Sequence, residues 1–111
     1  MKYNNVVFVE PSVITEKDKN TIFPKEMIDS LISLYPKSRK WLFDKVIPDV
    51  KSRKRKNIFI MDDTKTIKKG CLIIKDYQDE KKICTIWVNN KFKDEYDDII
   101  RVLINKAITE L

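Results

Sequence analysis

A chain of 111 residues is one domain by length, and its 42% apolar residues suffice for one compact core beside 36% charged residues. Apolar residues recur throughout among charges of both signs, which argues against wholesale disorder, and no apolar run approaches the roughly 18–20 residues of a membrane span. The chain has no histidine, which removes the commonest general base, any Ser-His or Cys-His pair and most transition-metal sites. The net charge of +6 is unevenly spread: five cations crowd into residues 51–56, while the last third carries an acidic cluster.

Val6 to Val9 is β-branched and aromatic and ends before Glu10-Pro11, so it reads as a first strand rather than an export signal, and the cytoplasm is the expected compartment. Residues 12–22 are polar and irregular. Pro24 suits the first turn of a helix, in which Met27, Ile28, Leu31, Ile32 and Leu34 form an amphipathic stripe up to a stop at Tyr35-Pro36. Lys37 to Ile47 is a second helical pattern, with Trp41, Leu42, Lys45 and Val46 along one side and Pro48 near its end. The basic run Lys51-Ser52-Arg53-Lys54-Arg55-Lys56 reads as a loop.

Strands are expected over Asn57 to Met61, Thr66 to Tyr77 and Lys82 to Val88, joined by the polar turns Asp62-Asp63-Thr64-Lys65 and Gln78-Asp79-Glu80-Lys81 as an antiparallel meander. Gly70, the one glycine, marks a bulge or a close backbone approach. Cys71 and Cys84 lack any CxxC spacing and read as small buried hydrophobes. Ile99, Ile100, Leu103, Ile104, Ala107, Ile108 and Leu111 repeat at helical spacing, with Asp94 as the expected N-cap. The order is β-α-α-β-β-β-α: an α/β (α+β) fold, a mostly antiparallel sheet with helices packed on it, in a single domain over 1–111.

That order, together with particular residues, resembles the N-terminal part of the GNAT family of N-acetyltransferases. Ile58 to Asp63 resembles the family's second strand and turn, and Ile67-Lys68-Lys69-Gly70-Cys71-Leu72-Ile73-Ile74-Lys75 the strand after it. Glu80 to Val88 resembles the fourth strand, Phe92-Lys93 stands where the family has an aromatic followed by arginine, and Asn105 to Leu111 matches the end of the third helix. The resemblance covers residues 30–111 and about two-thirds of a family domain. It implies acetyl-CoA held by main-chain bonds from Ile86, Trp87 and Val88, with Lys93 at the pyrophosphate, and direct attack of a substrate amine on the thioester.

Family members grip the pyrophosphate with R/Q-x-x-G-x-G/A, in which glycines let helix-start amides close on the anion. Here that segment is Lys93-Asp94-Glu95-Tyr96-Asp97-Asp98, with no glycine and four carboxylates. A like-charge pair about 6 Å apart costs roughly 3 kcal/mol at an effective dielectric near 20. The same carboxylates serve equally as plain helix-start residues that favour the dipole. Family domains also continue into a further strand, helix and hairpin, so the resemblance implies an open far edge that a second copy or a partner strand covers.

No residue stands out as the catalytic base. Asp76 and Glu80 are candidates by position, and Tyr77 and Tyr96 are candidate proton donors, each with surface charge or packing as the plainer role. Trp41 and Trp87 have the spacing of core residues. Two classes of function follow: an acetyl-CoA-dependent N-acyltransferase acting on an amine, or a catalytically inactive GNAT-like protein-interaction module, as a homodimer or with another protein. A nucleic-acid binder ranks third, because no aromatic lies within the basic run to stack on bases.

Overall fold

The computed structural model describes residues 5–9 and 22–110. The polar stretch read over 12–22 lies outside them except for Ile22, as do Glu10, Pro11 and Leu111. Four strands, β1 (Val6–Phe8), β2 (Arg55–Met61), β3 (Lys68–Asp76) and β4 (Lys81–Val88), form one antiparallel sheet in sequence order. On one face lie α1 (Lys25–Leu34), α2 (Ser38–Trp41) and α3 (Ile47–Lys51), with Met27, Leu31, Leu42, Val46 and Val50 packed on Phe59, Cys71, Ile73 and Trp87. On the other lies α4 (Tyr96–Glu110), whose Ile99, Leu103 and Ala107 cover Ile58, Ile60, Leu72 and Ile74. Because both faces are covered, the two central strands read as continuous apolar runs instead of alternating ones.

The meander and the flanking helices follow the expected order, and three local features depart from it. The second helical pattern does not end near Pro48. Residues 42–46 widen into a π turn, in which the Ile47 N–H donates to the Leu42 carbonyl, and the helix continues as α3 to Lys51. Proline has no N–H for the carbonyl four residues back and its ring crowds that oxygen, which a widened turn relieves.

The basic run, accordingly, is not one solvated loop. Lys51 ends α3, Arg55 and Lys56 open β2, and Arg55 is only 8% exposed. Between them Arg53 sits at φ 67°, with its N–H on the Val50 carbonyl and the Lys54 N–H on the Asp49 carbonyl. That pair of bonds is a Schellman motif, a position at which glycine is favoured. Arg53→Gly is therefore expected to raise stability by about 1 kcal/mol, measured by urea unfolding.

The third departure is at the start of α4. Asp94 is not the N-cap, because a 3₁₀ helix over Asn90–Glu95 already runs into α4. Asn89, 3% exposed, caps that helix: its side-chain oxygen accepts from the Lys91 N–H and its amide donates to the Lys68 carbonyl.

The β2–β3 turn is organised by Asp62, whose carboxylate accepts from the Thr66 and Ile67 N–H groups, both at 3.0 Å, and from the Thr64 hydroxyl at 2.7 Å. The Ile67 N–H first, and then the Thr64 hydroxyl, hold its carboxyl below the usual carboxylate range. A depressed folded value makes the contribution complete above pH ~4 and lost as pH falls through that depressed value. Asp62→Asn is thus expected to lower stability near neutrality, with the deficit shrinking in acid, as read from paired urea curves across pH.

Candidate functional site

An apolar cleft lies where the end of α1 and the start of α2 approach β4. It holds about 360 Å³ and is lined by Leu31, Leu34, Tyr35, Lys37, Ser38, Trp41, Cys84, Thr85 and Ile86. Its floor is the outermost strand, since among the described residues no further strand pairs with β4. Leu34 and Tyr35 are 70% and 71% exposed at its mouth.

A register shift in β4 shapes this cleft. Ile73 pairs with Thr85 but Ile74 with Ile83, which leaves Cys84 as the extra residue of a bulge. Strict alternation would have put Cys84 on the α4 side with Ile86; the bulge sends it to the opposite face, against Trp41 and its neighbours. Cys84 is therefore half-buried and lines the cleft, whereas Cys71 is fully buried as expected. Burial pushes the Cys71 thiol up, well out of the reactive range, and its Sγ donates to Asn57 Oδ1 at 3.0 Å.

Behind Cys84 stands a group that the sequence had hidden inside the basic run. Arg55 Nη1 donates to Cys84 Sγ at 3.0 Å and Nε to Asp49 Oδ2 at 2.8 Å, while the guanidinium lies 5.5 Å from the Trp41 ring centre. A buried cation needs this kind of pairing. The consequence is a rigid wall: α3 (Asp49), β2 (Arg55) and β4 (Cys84) are tied together beside the cleft.

The four residues expected at a cofactor are split. Ile86 and Val88 lean toward α4, and Ile86 alone among the four also lines the cleft. Trp87 is 6% exposed in the core beneath α1–α3, and Lys93 is exposed on the 3₁₀ helix. At that helix start the Lys91 N–H donates to Asn89 Oδ1, the Phe92 N–H to the Asn89 carbonyl and the Tyr96 N–H to the Lys93 carbonyl. Glu95 reaches back to Lys69 at 3.2 Å, and Asp98 pairs with Arg101 one turn on.

The candidate acid–base groups are not brought to the cleft. Asp76 pairs with Lys81 across the β3–β4 hairpin, where the Tyr77 N–H donates to the Glu80 carbonyl, and Tyr96 is 52% exposed at the start of α4. Trp41, read as a core residue, packs half-buried against the core and also lines the cleft. Lys68, not singled out by the sequence, is half-buried over the Phe59 ring and donates to the Ile22 carbonyl; burial pulls its pKa down. Among the described residues no group of His, Cys, Asp and Glu could hold a metal ion, and no helix is long and apolar enough to cross a membrane.

No protein-family model matches the chain, and neither a curated protein nor a solved structure matches it.

Proposed function

We propose that this chain is a GNAT-like cytoplasmic module that binds a partner protein without acyl transfer, taking an extended segment along the free edge of β4. One observation carries the reading: the edge strand, with no further strand beside it among the described residues, borders an apolar cleft. Main-chain groups of such an edge give affinity, and an adjoining cleft gives side-chain selectivity. The engaged amides at Lys91, Phe92 and Tyr96, and the acidic first turn of α4, favour this over a pyrophosphate grip.

A second reading is acetyl-CoA-dependent N-acyl transfer to an amine. The cleft favours it, because it lies beside Ile86, on the strand where the family resemblance sets the acyl thioester. Titration of acetyl-CoA into the protein, followed by calorimetry and thermal shift, separates the two. The expected result is no saturable binding up to millimolar cofactor. Saturation in the micromolar range would replace the interaction reading by the enzymatic one and call for a screen of amine substrates.

A further inference from the structure

We infer that the segment docking on β4 is acidic, an extended peptide whose apolar anchor enters the cleft between flanking carboxylates; this rests on the strand-addition reading above. Next to the cleft, and sharing Lys37 and Trp41 with it, lies a second depression of about 510 Å³ lined by Lys37, Lys40, Trp41, Asp44 and Lys45. Lys82 stands exposed near the start of β4. Four lysines thus stand around the docking edge, three of them about the single carboxylate of Asp44, while Lys82 follows the exposed Asp79 and Glu80 of the turn. None of the four joins an ion pair among the described residues, in contrast to Lys69 and Lys81, which do. Most lysines on a protein surface are mere solvated charge, but here they border an apolar opening and an edge strand together.

The charge also selects between occupants. A second copy would bring its own net +6 and the same lysines to the edge, and like charges at a strand edge oppose pairing. An acidic partner meets attraction where a copy meets repulsion. Side chains of an added strand alternate between faces, so residues on the α1–α3 side enter the cleft beside Leu34 and Trp41. Carboxylates before and after that anchor then reach Lys37, Lys40 and Lys82.

Cys84 provides the reporter, because it lines the cleft, and fully buried Cys71 serves as the internal control. The experiment uses a short strand-forming peptide with leucine between glutamates, its lysine-for-glutamate counterpart, an N-methylated version of the acidic peptide and an oligothymidine. Binding is followed by anisotropy at low and high salt, and alkylation of Cys84 by mass spectrometry.

The acidic peptide is expected to bind about tenfold tighter than the basic one, to weaken with salt and to shield Cys84, with Lys37→Glu plus Lys40→Glu reversing the preference. Equal binding of both peptides, indifferent to charge reversal, overturns the acidic partner and leaves strand addition standing. Acidic-peptide binding that survives N-methylation and leaves Cys84 unshielded overturns strand addition and keeps an acidic ligand. No peptide binding overturns both, and tighter binding of the oligothymidine replaces the peptide by nucleic acid.

Discussion

Asp49→Ala is expected to destabilise the fold by about 3 kcal/mol, a large share of a small domain's stability. Among the described residues its carboxylate is the one anionic partner of Arg55, and the arginine side chain is 8% exposed. Without Asp49 the guanidinium keeps a sulfur acceptor and an aromatic face, neither of which offsets desolvation of a full charge. Asp49 itself is 24% exposed, which sets the loss at the lower end of the range for broken buried pairs. Replacing both partners together, Asp49→Leu with Arg55→Leu, is expected to cost less than Asp49→Ala alone, because no charge is then stranded. Urea unfolding of the three variants tests this. A loss under about 1 kcal/mol for Asp49→Ala would mean that water solvates Arg55 and that the wall behind the cleft is soft.

Gly70→Ala is the second large effect, with an expected loss of about 2 kcal/mol and a fall in Tm of roughly 8–16 °C. A Cβ at this position would stand 2.6 Å from Ile99 Cγ2, 3.1 Å from the Trp87 carbonyl oxygen and 3.3 Å from Leu103 Cδ1. Ile99 and Leu103 are fully buried and the carbonyl belongs to β4, so relief requires α4 to lift off the sheet. In an ordinary strand the same substitution gains propensity, so the expected sign comes wholly from the close approach. A double-mutant cycle with Ile99→Ala isolates that contact: the alanine at 70 should cost much less once Cγ2 is gone. Additive losses would show that α4 already tolerates the methyl group.

Much of the architecture was legible because burial on both faces writes itself as apolar runs. Ile58-Phe59-Ile60 and Cys71-Leu72-Ile73-Ile74 announced central strands, and the spacing of Ile99, Leu103 and Ala107 announced the covering helix. Gly70 was readable as a close approach for the same reason: a glycine inside such a run has a packing cause. What the sequence concealed depends on contacts between distant residues. Arg55 looks like any member of a basic run until Asp49, Trp41 and Cys84 are placed around it. The place of Cys84 follows from one extra residue in β4, and a shift of one reverses the face on which every earlier residue falls. Of the four residues expected at a cofactor, only Ile86 borders the cleft, because Trp87 and Val88 were grouped by position along the chain and not by face.

The two edges of the sheet are unequal in a way that matters for how the molecule assembles. β4 joins β3 through a tight local turn, while β1 reaches its partner across half the chain, Val6 pairing with Ile60, through three register pairs and flanking bonds at Asn5 and Val9. Long-range closure carries an entropic cost that local hairpin pairs do not meet. The meander is held by short-range pairs and β1 by long-range ones, so β1 is the strand expected to open first. Each release uncovers the outer edge of β2, so the chain exposes a second template for strand pairing during synthesis and under heat, on the opposite side from β4.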